Sequence, residues 1–140
     1  MDKLSLSELK PGDNLPIFVT APITRQTLAV YCGASGDHNP IHVDIDFAKQ
    51  SGLDDVIAHG MLVMSYCSRA LLEYFPQTSI VKFDTRFIAM THVGDQIRVL
   101  VTINDEIYAD EKSLLNLAFT AENQYGDTKT TGTATVARPN

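Results

Sequence analysis

The densest group of residues with chemistry to offer is Tyr31-Cys32-Gly33-Ala34-Ser35-Gly36-Asp37-His38-Asn39-Pro40-Ile41-His42. Asp37 and His42 place a carboxylate and an imidazole five residues apart on an irregular segment marked by Gly36 and Pro40. Pro40 excludes the α region for Asn39, so extended chain spans the gap and the two side chains can converge on one point. Such a pair can hold one water between a base and an acid, which is what acid-base addition of water requires. A plainer reading makes Asp37 a turn residue and His42 a satisfied core histidine, since Asx turns are common at Gly/Pro loops. His38 and His42 also have the i, i+4 spacing of a helical zinc pair. Pro40 between them keeps both off one helix, and no metal is expected.

The second group is Ala58-His59-Gly60-Met61, at the start of a long apolar stretch. A glycine at a helix N-terminus lets a ligand approach the backbone closely, and the N–H groups of Gly60 and Met61 point along the positive end of the helix dipole. That pair is a ready oxyanion hole for a thioester carbonyl. Taken alone, the motif reads more readily as a helix cap at His59 and a glycine at 60 that eases a tight entry.

These residues need elements to position them. The run 60–74 is free of proline, stops at Phe75-Pro76, and carries Met61, Leu62, Met64, Cys67, Leu71 and Leu72 most of the way around a helix. A helix apolar on most sides is expected to be largely buried. Before it, residues 25–34 form a short amphipathic helix capped by Thr24, residues 15–19 an edge strand, and residues 35–58 a long irregular segment with a helical turn at 46–50. After it the period changes to two. Val81, Phe83, Thr85 and Phe87 alternate with polar residues, as do Ile97, Val99, Val101 and Ile103, then Leu115, Leu117, Phe119 and Ala121, with a last strand over 128–137. A curved antiparallel sheet with one apolar face needs something to wrap around, and the run 60–74 is the available helix. The expected architecture is α+β, a single hotdog domain over residues 1–140.

Composition agrees. In 140 residues, 44% are hydrophobic and 20% charged, which is globular usage, and the length suits one core without disulfides or metal. Seventeen acidic against eleven basic residues give a net charge of -6, which argues against a general grip on nucleic acid or an anionic membrane. Cys32 and Cys67 stand in apolar company with no CxxC spacing and read as buried free thiols in a reducing compartment. With no apolar run fit for a signal peptide or a membrane span, the expected setting is the cytoplasm.

Gly36-Asp37-His38-Asn39-Pro40-Ile41-His42, followed about 17 residues on by Ala58-His59-Gly60-Met61-Leu62, resembles the signature of the MaoC-like (R)-specific enoyl-CoA hydratases, or hydratase 2. It also resembles the related (3R)-hydroxyacyl-ACP dehydratase subunits. The resemblance runs from Leu9-Lys10-Pro11-Gly12-Asp13 to the final strand. It implies a catalytic dyad at Asp37 and His42, an orienting asparagine at Asn39 and an oxyanion N–H at Gly60. It also implies a site serine nine residues past the second motif's histidine, matched by Ser68; His59 and Met61 fit the pattern without an assigned role and are counted with the substrate-binding residues. The implied reaction is reversible hydration of a trans-2-enoyl thioester of CoA or acyl carrier protein, with no cofactor. The implied assembly is a homodimer, or a heterodimer with a related hotdog subunit. The alternatives are a non-catalytic or partner-dependent subunit and an acyl-CoA thioesterase. The first is disfavoured by the intact dyad. A thioesterase of this fold places a carboxylate on the central helix, where only Glu73 is available.

Overall fold

In a computed structural model of the chain, residues 6–138 are described, and the N-terminal and C-terminal ends of the 1–140 expectation lie outside them. The elements run β1 (Phe18–Val19), α1 (Arg25–Ser35), α2 (Ile45–Gln50), α3 (Gly60–Leu72), β2 (Ile80–Phe87), β3 (Arg98–Ala109), β4 (Lys112–Glu122) and β5 (Thr128–Ala137). The strands form one antiparallel sheet in the order β1-β3-β4-β5-β2, with α3 against its inner face. This is the hotdog arrangement, with the sheet left open rather than closed into a barrel. Among the described residues no helix is long and apolar enough to cross a membrane.

The core is made where the two periods meet. Helix α3 buries Leu62, Val63, Tyr66, Cys67, Ala70 and Leu71, a stripe two residues wide repeating every four. The sheet answers with Val99, Val101 and Ile103 on β3, Leu115, Leu117, Phe119 and Ala121 on β4, and Ala134 and Val136 on β5. At roughly 1.5–3 kcal/mol for each fully buried Leu or Val, packing rather than propensity holds α3 in place. The expectation of a helix buried most of the way round is corrected here: Met61 and Leu72 are exposed, because a single open sheet covers one side only. The helix also ends at Leu72, two residues earlier than expected.

Two features of the sheet are absent from the sequence pattern. Strand β2 pairs with β5 rather than with β3, the next strand in the chain, so residues 88–97 cross from one side of the sheet to the other. That crossing is tied down by Lys129, which is buried, donates to the Met90 carbonyl at 2.9 Å and lies 3.8 Å from the buried Asp95 carboxylate. The hairpin between β3 and β4 turns on Asp110 and Glu111, both with positive φ, the two-residue turn that matches strand twist. Its strands continue past Ile103 and begin before Leu115, through a bulge between Ile103 and Asp105, because ladder pairing carries on after the apolar alternation stops.

The first half is closer to expectation. Thr24 caps α1, accepting from the Thr27 N–H at 3.1 Å while the Thr27 hydroxyl accepts from the Thr24 N–H. Gly36 ends α1 in the left-handed region at φ 75°. Of the expected edge strand at 15–19, only Phe18–Val19 forms a strand, pairing with β3.

Gly132 is required by space. A Cβ there would stand 2.2 Å from the Asp84 carbonyl oxygen and 2.3 Å from the Phe119 ring, which stacks on Phe83 at 5.1 Å. Because the nearest atom is backbone, Gly132→Ala is expected to cost at least about 1–3 kcal/mol. That corresponds to a fall of roughly 3–10 °C in Tm. Gly33→Ala, in α1 with nothing within 4 Å of the added carbon, serves as the control and should leave Tm unchanged or higher. Calorimetry of the two variants checks this.

Candidate active site

The first motif leaves α1 through Gly36 and is shaped by its own short side chains. The Ser35 hydroxyl accepts from the Asp37 N–H at 3.1 Å, Asp37 Oδ1 from the Asn39 N–H at 3.2 Å, and Asn39 Oδ1 from the Ile41 N–H at 3.1 Å. Asn39 sits at φ -56° and ψ 122°, the extended conformation that Pro40 imposes, and Pro40–His42 is a single 3-10 turn. The extended residue and the tight turn together bring His42 back toward Asp37. Asp37 Oδ2 lies 3.9 Å from His42 Nε2.

The two members differ in environment. The Asp37 side chain is 51% exposed, whereas His42 is buried. His42 Nδ1 lies 2.7 Å from the Ile57 carbonyl oxygen. A carbonyl can only accept, so Nδ1 carries a proton and Nε2 is the nitrogen that faces the carboxylate. Asp37 is therefore a turn residue and a dyad member at once, one oxygen serving each purpose. The turn role of Asp37 and its approach to His42 therefore coexist in one side chain.

The second motif arrives beneath it. His59 occupies the N-cap position of α3 but makes no side-chain cap bond; its ring is fully buried, stacked on His42 at 3.7 Å with an angle of 23° between planes. His59 Nε2 lies 3.3 Å from the Asp37 carbonyl oxygen and 3.4 Å from Cys32 Sγ, and the Tyr31 ring meets its edge at 4.8 Å. Burial, with the neighbouring His42, pushes the pKa of His59 below its ordinary value against the opposing pull of Asp37. Burial first, and then the Asp37 charge, pushes the Tyr31 phenol and the Cys32 thiol up, so both stay protonated near neutrality. On α3 burial, opposed in part by a main-chain hydrogen bond, pushes the Cys67 thiol up to about 12.

Gly60 is the first residue of α3, where the N–H has no acceptor within the helix. It lines a cleft of about 400 Å3 together with His42, Val63, Phe87, Ile88 and Met90. A Cβ on Gly60 would come 3.1 Å from the Phe87 ring. The cleft thus joins an imidazole, a helix N-terminus and an apolar wall. Asp37 reaches His42 but is not part of the cleft lining.

Asp37, His42 and His59 each offer one ligand atom within 4.8 Å of the others, the grouping of this kind found among the described residues. The exposed His38, considered with His42 in the sequence, is not part of it. Lone pairs lie in the imidazole plane, so two stacked rings direct them side by side rather than toward a shared centre, and His59 Nε2 is already engaged with Asp37. The set fits proton transfer better than it fits a metal.

The remaining site expectations fall elsewhere. Asn39 acts on Asp37 through its main-chain N–H and caps the 3-10 turn with its side chain. Met61 is exposed, and neither it nor Ser68 lines the cleft. Ser68 lies eight residues beyond Gly60, roughly 12 Å along α3, and donates to the Ser65 carbonyl at 2.8 Å. Sequence reading missed the Phe87-Ile88-Ala89-Met90 wall and the Ile57 carbonyl. The break in alternation after Phe87 is a signal for the wall; a main-chain acceptor leaves no signal at all.

Comparison with known proteins places this site in a family. Residues 8–122 match the MaoC like domain. The chain is 33% identical over 93 residues to the mitochondrial 3-hydroxyacyl-[acyl-carrier-protein] dehydratase of Arabidopsis thaliana, covering 66% of this chain and 55% of that protein, so it spans about half of that relative's length. It is 29% identical over 98 residues to the (R)-specific enoyl-CoA hydratase of Rhodospirillum rubrum, covering 69% of this chain and 67% of that one. The unliganded R-hydratase PhaJ1 of Pseudomonas aeruginosa superposes with a TM-score of 0.85 at 26% identity, over 96% of this chain and 84% of that chain. Since the matched region contains both motifs, most of the cleft lining and most of the sheet, the chain belongs to the MaoC like domain family.

Proposed function

We propose that this chain is a hydro-lyase that reversibly hydrates trans-2-enoyl thioesters, on CoA or acyl carrier protein, to (3R)-3-hydroxyacyl thioesters. The observation that carries the proposal is the Asp37 carboxylate facing His42 Nε2 at 3.9 Å, with His42 and the start of α3 lining one apolar cleft. A water about 2.8 Å from both atoms subtends an angle of about 90°, an ordinary hydrogen-bond geometry. The names of the relatives support the reaction class and the R stereochemistry.

In the hydration direction Asp37 takes a proton from water as its oxygen bonds to C3, and His42, protonated on both nitrogens, passes the Nε2 proton to C2. The Ile57 carbonyl and the Asp37 carboxylate offer an acceptor to each N–H of that form. Negative charge developing on the thioester oxygen is met by the Gly60 N–H at the positive end of α3. The cycle closes when the proton on Asp37 returns to His42, and the same steps reversed dehydrate the hydroxyacyl thioester. No step calls for a cofactor. Glu73, the carboxylate a thioesterase would need on the central helix, is exposed at the far end of α3. Two buried free thiols support a reducing, cytoplasmic setting.

The working unit is a dimer. Strand β2 is an unpaired sheet edge, and Val81, Phe87, Ile88 and Met90 on and after it are half or more exposed, which suits a second hotdog chain. A homodimer is the simpler assembly, because one chain carries the dyad and the helix start together.

Asp37→Asn and His42→Ala should each lower hydration of crotonyl-CoA by about 10²–10⁴-fold with circular dichroism close to wild type. Tm should hold in Asp37→Asn and fall in His42→Ala, which removes a buried ring and leaves the Ile57 carbonyl without its donor. A near-normal rate for either variant refutes the dyad. Light scattering should give twice 15.4 kDa, and a dominant species at 15.4 kDa refutes the dimer. Gly60→Pro removes one N–H where His59, at ψ 133°, already has the conformation a following proline demands. Mixed dimers of Asp37→Asn with Gly60→Pro should show no recovery of activity, and recovery would assign the dyad and the helix start to different chains.

A further inference from the structure

We propose that His59 is a positioning residue for the dyad: its ring backs the plane of His42 while its Nε2–H holds the main chain of Asp37. The inference rests on the hydratase reading and deepens it. His59 is 1% exposed, the more deeply buried of the two motif histidines. Its Nε2 is 3.3 Å from the Asp37 carbonyl oxygen, which can only accept, so Nε2 carries the ring proton. Its face lies 3.7 Å from His42. One side chain therefore touches both halves of the dyad, and the next residue along the chain supplies the helix-start N–H. Through His59 the relative position of carboxylate, imidazole and Gly60 becomes a property of one buried ring.

Structural needs do not account for a histidine here. At an N-cap position, Ser, Thr, Asp or Asn would satisfy the first N–H groups of α3, and His59 makes no cap bond. Its Nδ1 is buried with no hydrogen-bond partner among the described residues. With Nε2 protonated, Nδ1 is a bare lone pair, and charging the ring would place an N–H there with no acceptor. The groups that face the ring are Asp37, His42, Tyr31 and Cys32. Burial and His42 outweigh Asp37, so the pKa of His59 lies below the ordinary histidine value. A ring that stays neutral does not compete for the proton that His42 and Asp37 exchange.

Two variants separate the contacts. His59→Phe keeps a ring against His42 and removes the N–H to Asp37; His59→Gln keeps an N–H donor and removes the ring. Each should lower kcat on crotonyl-CoA, per folded subunit, by about 10–100-fold with KM changed less than threefold, since displacement of about 1 Å is enough for losses of this size. Unchanged kcat in both variants, or a loss confined to KM, overturns the proposal. A second readout needs no activity and no variant. In 15N-labelled wild-type protein the histidine ring spectra should show His59 as the neutral Nε2–H tautomer, titrating below the ordinary value of about 6.5; an Nδ1–H tautomer, or titration at or above that value, overturns it. Because the folded-state pKa is lowered, the stability from neutral His59 is fully present above about pH 6.5 and is lost as pH falls below it. The Tm of wild type should accordingly fall more steeply between pH 6.5 and 5 than that of His59→Phe, and equal slopes count against the proposal. Inactive wild-type protein would refute the hydratase reading, and the ring spectra would then decide on His59 separately.

Discussion

The hydrogen bond between His42 Nδ1 and the Ile57 carbonyl, 2.7 Å long, is the interaction on which the rest of the site depends. It joins the segment after α1 to the segment before α3, fifteen residues apart in the chain. It also decides chemistry, because an Nδ1 that donates to a carbonyl turns Nε2 toward Asp37. Around it the two motifs lock in layers. The Ile57 N–H donates to the Ile41 carbonyl at 3.2 Å, the Ala58 N–H to the Thr91 carbonyl at 2.8 Å, and His59 packs beneath His42. A loop of this length in a small domain would ordinarily be mobile, and here main-chain pairing and a buried imidazole stack hold it to one geometry.

The sheet contributes less directly and is equally necessary. Helix α3 can present its first turn to the cleft only because its buried stripe is seated on β3, β4 and β5. Gly132 lets the Phe119 ring lie close over β5 and stack on Phe83 of β2. Strand β2 then runs on into Phe87, against Gly60, and into the apolar wall at 88–90. Lys129, a buried cation, fixes that wall through Met90 and offsets its own desolvation with Asp95. The cleft is thus built from the end of an edge strand and the start of the central helix, with the dyad loop closing over both.

Much of this was legible in the residues themselves. A period of two marked the strands, a long apolar run free of proline marked α3, Thr24 marked the start of α1, and Pro40 marked the extended Asn39, because each is set by local sterics or by the need to bury apolar surface. Asp37, His42 and Gly60 stood out for the same reason: irregular backbone, a carboxylate, an imidazole and a helix-start glycine are visible without coordinates. Gaps in the pattern track non-local causes. The hairpin at Asp110 and Glu111 lacks the glycine that usually announces such a turn, and β2 joins β5, which is not its neighbour in the chain.

The sequence by itself determined which segments are strand and which helix, the apolar faces of the long strands, and the residue types that could pass a proton and polarise a carbonyl, since those follow from side-chain chemistry and backbone preference. Only the tertiary structure decided which nitrogen of His42 faces Asp37, that His59 turns inward instead of capping α3, and that Ser68 and Met61 lie off the cleft. Those outcomes turn on main-chain carbonyls and on packing across the sheet. A carbonyl has no letter of its own, and its position relative to an imidazole exists only after the chain has folded.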